Sequence, residues 1–175
     1  MTAPHLVLVD RDGVLNRKAP EGEYILTPDE LELLPDAAAA VRRLNECGIP
    51  VAVVTNQRAV ALGRLTEHGL AAVHDELARL LAAAGAHVDA LYYCPHDRDA
   101  CDCRKPAPGM LTAALAEFDI APRHAVMIGD ADSDVEAGRR AGVDTVQVGV
   151  GEALSAATWA ARDLREAVEL LLGTR

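Results

Sequence analysis

The sequence predicts an α/β fold in three layers, a parallel sheet with helices on both faces. Two observations carry this reading. Short apolar runs recur along the chain and end at polar or acidic residues, as buried parallel strands do. Between them lie alanine- and leucine-rich segments with helical periodicity, and strands alternating with helices are the pattern of a parallel sheet.

The elements follow in order. "HLVLVD" (residues 5–10) is the first strand, "GIPVAVVTN" (48–56) the second, "VDALYYC" (88–94) the third and "HAVMIGD" (124–130) the fourth, with "DTVQVGV" (144–150) a weaker fifth. Helical spacing covers Asp36 to Cys47, Glu67 to Ala84, Pro108 to Phe118 and Asp132 to Ala141. The tail "SAATWAARDLREAVELLLG" reads as a short closing helix, with Trp159 packed inward. No repeat, low-complexity tract or linker interrupts the pattern. With 175 residues, half of them hydrophobic, one Rossmann-like domain spanning 1–175 is expected.

The charge balance excludes some functions. A formal net charge of −10, from 27 acidic and 17 basic residues, lacks the basic patch of a nucleic-acid binder. No apolar run approaches the roughly 18 residues of a membrane span, and "MTAPHLVLVD" has no basic segment before an apolar one. A cytoplasmic, soluble monomer is expected, with neither nucleic acid nor membrane as partner.

In such a fold, residues just past the carboxyl ends of the strands meet along one crevice. That gathers Asp10 and Asp12 of "VDRDGVLN", Thr55 and Asn56 of "TNQ", and Asp130 of "GDADSD". Carboxylates brought together repel one another, and a bound divalent cation keeps them ionised; hard oxygen ligands suit Mg²⁺. A carboxylate beside such an ion can attack phosphorus while a neighbouring acid protonates the leaving oxygen. Thr55 and the amides of "TNQ" offer donors to an anion, and Lys105 offers a positive charge. In an extended turn Arg11 points away, so that Asp10 and Asp12 flank the phosphorus. Arg17 and Lys18 border the same crevice.

Three cysteines and a histidine form a second constellation, C-x-H-x4-C-x-C at Cys94, His96, Cys101 and Cys103. Three thiolates and one imidazole match a tetrahedral Zn²⁺ site with no open position, and so a structural one. Such a zinc loop, 94–103, leads directly into Arg104 and Lys105 and would aim both at the crevice. Cys47, near a helix end, reads instead as a buried small apolar residue. His68 and His74 fall on a polar helix face, and His5, His87 and His124 at terminal or turn positions.

The motifs "DRDGVLN", "TNQ", "CPHDRDACDCRKPAPGM" and "GDADSDVEAG", in that order over about residues 6–150, resemble those of the haloacid-dehalogenase-like (HAD-like) phosphatases. Within them the chain is most similar to the group holding heptose-bisphosphate phosphatases and the histidinol-phosphate phosphatase domain. The resemblance implies a HAD-like fold with a minimal cap and a zinc-bound loop. It implies Asp10 as nucleophile and Asp12 as general acid and later general base. Mg²⁺ would be held by the Asp10 carboxylate, the Asp12 main-chain carbonyl and Asp130, with Asp134 as an auxiliary acid. Thr55, Asn56 and Lys105 would bind the transferring phosphoryl group, and Arg104 would reach the substrate.

The loops "KPAPGM" and "GEYILTPDELELLPDA" look more like the heptose enzymes. The expected reaction is therefore removal of the C7 phosphate of D-glycero-D-manno-heptose 1,7-bisphosphate, of either anomer, through an aspartyl-phosphate. The short His96–Cys101 spacing looks more like the histidinol-phosphate form. That ester, or another small phosphorylated sugar, is the alternative; a phosphotransferase or a non-catalytic partner of the same fold is the alternative of another class. Heptose-type enzymes commonly read "TNQSGIARG" where this chain has "TNQRAVALG", so Arg58 is a further candidate substrate-binding cation and Arg64 a substitute for the lost one.

Overall fold

The computed structural model describes residues 3–149 and 156–173. Six parallel strands, β1 (Leu6–Val9), β2 (Val51–Asn56), β3 (Ala90–Cys94), β4 (Ala125–Gly129), β5 (Asp144–Val148) and β6 (Trp159–Ala161), pair in the order β3-β2-β1-β4-β5-β6. The helices are α1 (Ala37–Glu46), α2 (Glu67–Ala83), α3 (Gly109–Glu117), α4 (Asp132–Ala141) and α5 (Leu164–Leu172).

Side chains alternate across a strand, so each inner strand serves two cores. Val7, Val9, Val51, Val53, Val126 and Ile128 face one, with side chains of α1, α2 and α5. Their neighbours Leu6, Leu8, Ala52, Val54, Ala125 and Met127 face the other, against α3 and α4. Burial on both faces explains why these strands read as unbroken apolar runs, each valine, leucine, isoleucine or methionine among them contributing about 1.5–3 kcal/mol.

The tail departs from the expected single helix. Trp159–Ala161 adds to the sheet edge as β6, with Val146 opposite Trp159, before α5 begins. Thr158 and Thr145 exchange hydrogen bonds between main chain and hydroxyl at 3.0 and 3.1 Å, so pairing with an open edge overrides the helix preference of the alanines. Trp159 does pack against the first core. Val150 of the expected fifth strand and Ser155 of the tail lie outside the described residues.

Two side-chain expectations are corrected. Cys47 is exposed, because α1 ends there and the chain turns at Gly48 (φ 69°), sending Ile49 into the core instead. His74 is half-buried with its Nε2 covered, because it lies four residues after Leu70 and three before Leu77, on the flank of the inward stripe of α2.

The order reverses between β1 and β4, and the crevice beyond that junction is where ligands bind in open parallel sheets. The connections 10–36, 57–66 and 95–108 leave the strands at this edge. Among the described residues they carry no helix or sheet of their own beyond one 3-10 turn, Pro28–Glu30, in keeping with a minimal cap. A satellite cluster of Ala59, Leu65 and Leu70 with Tyr24 and Leu26 fastens the first connection to the second. No described helix is long and apolar enough to cross a membrane.

Candidate active site

Asp10 follows β1 directly, and Asp130 follows β4. Main-chain pairing brings the two strand ends together, with the Asp10 N–H donating to Ile128 O at 2.9 Å. Gly13 (φ 89°) turns the chain against Asp130, and a Cβ there would collide with that carboxylate. Gly129 likewise leaves room for Asp134, whose side chain would meet any Cβ at position 129.

Lys105 is the centre of the buried charge. Its ammonium, on a residue 3% exposed, donates to Val54 O at 2.7 Å and pairs with Asp10 Oδ1 at 2.9 Å and Asp134 Oδ1 at 2.7 Å. The main-chain N–H of Arg11 also donates to Asp10 Oδ1, at 2.8 Å, so both contacts converge on one oxygen and Oδ2 takes neither. Burial pushes the Asp10 carboxyl up to about 7; Lys105 pulls it down, and Asp134 and Asp12 push it up. Lys105 is held in turn by Asn56, whose side-chain amide exchanges two 3.0 Å hydrogen bonds with the Lys105 main chain. The Asn56 side chain is therefore committed to placing the lysine.

Asp12 is caged. Arg11, 1% exposed, does not point away from it as expected: its Nη2 meets both carboxylate oxygens at 2.9 and 3.0 Å. Asn16 donates to Oδ1 at 2.9 Å and Gln57 to Oδ2 at 3.0 Å, and Gln57 also donates to Thr55 Oγ1 at 2.9 Å. Asn16 and Gln57 carried no role in the sequence reading, although each closes a motif quoted there. His74 lies behind Arg11, its ring centroid 5.7 Å from that of Tyr93. Burial first, then the Arg11 charge, lowers its pKa to about 4, with Asp12 opposing.

Asp10, Asp130 and Asp134 each place a carboxylate oxygen within 4.8 Å of the others. Asp134 pairs with Lys105 through Oδ1 at 2.7 Å and accepts from the Ala131 N–H through Oδ2 at 3.0 Å, and the Oδ1 atoms of Asp130 and Asp134 are both buried with no hydrogen-bond partner among the described residues. Burial raises the Asp130 carboxyl, and Lys18, paired with Oδ2, opposes that. An orphaned carboxylate oxygen beside two more acids fits a hard divalent cation such as Mg²⁺.

Cys94, His96, Cys101 and Cys103 converge as expected. The three sulfurs lie 3.2–3.5 Å apart, and His96 Nδ1 lies 3.2 Å from Cys103 and 3.6 Å from Cys94. These are the edges of a small tetrahedron, near the ~3.8 Å that Zn–S bonds of about 2.3 Å would set. Burial raises the thiols of Cys94 and Cys103, while hydrogen bonds from Cys103 and Arg104 outweigh burial at Cys101 and bring it to about 7. Three thiolates this close need a cation among them, and the soft donor set fits zinc.

The candidate cations of the rim divide. Arg58 is drawn to Asp97 of the cysteine loop, Nε to Oδ1 at 2.5 Å, and Arg64 lies over the Tyr24 ring at 5.6 Å while donating to Gly22 O at 3.3 Å. Arg17 pairs with Glu32 at 2.9 Å. Arg104 makes one long hydrogen bond, Nη1 to His96 O at 3.5 Å.

Known proteins share this fold and much of this sequence. The model of the haloacid dehalogenase-like hydrolases matches residues 4–142. A D-glycero-beta-D-manno-heptose-1,7-bisphosphate 7-phosphatase of Pseudomonas putida is 38% identical over 148 residues, 84% of this chain and 83% of that protein. A D-glycero-alpha-D-manno-heptose-1,7-bisphosphate 7-phosphatase of Mycobacterium tuberculosis is 36% identical over 132 residues, 74% of this chain and 69% of that protein. The crystal structure of D,D-heptose 1,7-bisphosphate phosphatase from B. bronchiseptica, complexed with magnesium and phosphate, superposes with a TM-score of 0.90 at 33% identity, covering 100% of both chains. By its sheet order, its strand-end carboxylates and these matches, the chain belongs to the haloacid dehalogenase-like hydrolases.

Proposed function

We propose that this chain is a Mg²⁺-dependent phosphatase that removes the C7 phosphate of D-glycero-D-manno-heptose 1,7-bisphosphate. The observation that carries the reading is the placement of Asp10, Asp12, Lys105 and Asp130 at the switch point of a fold shared over its whole length with an enzyme named for that substrate.

Asp10 Oδ2 is the nucleophile, since Lys105 and the Arg11 amide occupy Oδ1. It bonds to phosphorus as the bond from phosphorus to the C7 oxygen breaks, and Asp12 delivers the proton to that oxygen. Asp12 then takes a proton from water, whose oxygen bonds to phosphorus as the aspartyl-phosphate bond breaks, releasing inorganic phosphate. Arg11, Asn16 and Gln57 hold Asp12 in place for both transfers. Thr55 and Lys105 face the phosphoryl oxygens, and Asn56 fixes Lys105. Asp10, the Asp12 carbonyl and Asp130 would hold Mg²⁺, which when bound offsets the charge on the phosphoryl oxygens. Zn²⁺ held by Cys94, His96, Cys101 and Cys103 would order the loop that carries Arg104 and Lys105.

The test is phosphate release from both anomers of the heptose bisphosphate, with histidinol phosphate and fructose 1,6-bisphosphate alongside. Selective turnover of a heptose anomer is expected. Faster turnover of another ester would keep the phosphatase chemistry and discard the substrate.

A further inference from the structure

A sugar phosphate depends on its general acid, because an alkoxide leaves poorly unless it is protonated as its bond to phosphorus breaks. Asp12 must therefore be held at one angle, and Arg11 grips it along one edge of the guanidinium. Nε lies 3.3 Å from Oδ1, and Nη2 lies 2.9 and 3.0 Å from the two oxygens. That leaves Nη1 on the opposite edge, buried and without a partner among the described residues. A second orphan belongs to α2: His74 Nε2 is likewise buried with no partner. The charge of Arg11 acts on His74 more than that of Asp12 does, which puts the ring nearer the guanidinium than the carboxylate.

The two orphans are complementary. A guanidinium only donates, so Nη1 needs an acceptor. Burial and the Arg11 charge lower His74 to about 4, which leaves the imidazole neutral at neutral pH. A neutral ring with its proton on Nδ1 offers Nε2 as that acceptor. Buried polar atoms are seldom left unpaired, because each one that is has given up its bond to water. The ring is also held for the role. It packs against Tyr93 with centroids 5.7 Å apart and planes tilted by 53°, and the Tyr93 hydroxyl donates to Glu67 Oε2 at 2.7 Å. Glu67 opens α2, so this bond ties β3 to the helix that carries His74.

We infer that His74 is a positioning residue for Asp12: one buried water accepts from Arg11 Nη1 and donates to His74 Nε2, and this bridge fixes the plane in which the guanidinium holds the carboxylate. His74 takes no proton in the reaction and acts only through Arg11. The inference rests on the proposed phosphatase chemistry and adds a link from α2 to the proton that Asp12 delivers. In the sequence His74 is one of two histidines along a helix; the fold turns it toward Arg11.

The experiment measures kcat/KM, which reports the steps up to the aspartyl-phosphate, for two esters. One is heptose 1,7-bisphosphate, an alkyl phosphate; the other is p-nitrophenyl phosphate, whose phenolate leaves with little help from an acid. In His74→Leu, which fills the space without an acceptor, the ratio of the first value to the second is expected to fall at least about fivefold. His74→Gln, whose amide oxygen accepts, should keep the ratio within about twofold of wild type. An unchanged ratio in His74→Leu, or the same loss in both variants, would make His74 a support of the fold alone and overturn the inference. If wild type does not turn over the heptose ester, fructose 1,6-bisphosphate takes its place; the substrate reading then falls and the ratio still decides the bridge. Nitrogen NMR of the wild-type imidazole at neutral pH, assigned through its contacts with Tyr93, needs neither activity nor a variant. A proton on Nδ1 and none on Nε2 is expected, and a proton on Nε2 overturns the bridge. A wild type that hydrolyses no ester would end the proposed phosphatase activity, and the nitrogen spectrum would decide the bridge by itself.

Discussion

Replacing Lys105 by methionine removes a cation that touches both Asp10 and Asp134. The side chains of Lys105 and Asp134 are each 1% exposed and that of Asp10 is 12% exposed, so water cannot take over the missing charge. Breaking a buried ion pair from one side is destabilising by about 3–5 kcal/mol, and here two carboxylates are left facing each other. Protonation relieves part of this. Asp10 already sits near pH 7 because burial raises it, and losing Lys105 raises it further. The loss should therefore grow with pH, since ionisation restores the repulsion, by up to about 1.4 kcal/mol per unit until Asp10 is ionised in the folded state too. Urea unfolding at pH 5.5 and 8.0 without added Mg²⁺ measures it, together with Asp134→Asn and the double variant. The double variant should be more stable than the sum of the two losses implies, because it removes the like charge as well as the lysine. A Lys105→Met midpoint equal to wild type at pH 8.0, or strictly additive losses, would refute the charge-cluster reasoning.

Further predictions follow from the same geometry. Asp10→Asn should abolish turnover with fold and bound zinc retained, checked by phosphate release and metal analysis; residual turnover at the wild-type rate would remove the covalent step. Mg²⁺ binding should expel protons at neutral pH from the carboxylates whose pKa burial raises, Asp10 first, measurable in weakly buffered protein. Cys101→Ser should lower zinc content below one ion per chain and raise proteolytic cleavage within 94–108. His74, with its pKa lowered from 6.5 to about 4, favours the folded state fully above pH 6.5 and loses that contribution as pH falls toward 4, on the order of 3 kcal/mol. His74→Gln should flatten the stability profile in that window, read by thermal unfolding against pH.

The fold was legible because the inner strands are buried on both faces, and few other structures ask for "LVLV" or "VAVV" between amphipathic helices. The edge was not. β6 is three residues of tryptophan and alanine, whose local preference says helix, and only the open hydrogen bonds of β5 make a strand of them. His74 and Cys47 were misplaced for a related reason. Helix periodicity tells which way a side chain faces, but not where the stripe widens or where the helix stops.

At the site, the residues named from the motifs converge, yet their partners came only with the fold. Asn56 was legible as a strand-end polar residue; that its amide clasps the Lys105 main chain depends on a contact across 49 positions. Arg58 makes the same point in the opposite direction. As sequence it is a free cation in a substrate loop, and in the structure it is bound to Asp97 of the cysteine loop. A charge that closes one loop on another cannot also greet an incoming phosphate without releasing its carboxylate. Arg58→Ser, restoring the residue common in the heptose-type loop, should therefore loosen the cysteine loop more than it weakens substrate binding. Proteolysis of 94–108 should accelerate while KM for the bisphosphate changes less than twofold. A large rise in KM with an unchanged cleavage rate would return Arg58 to the substrate.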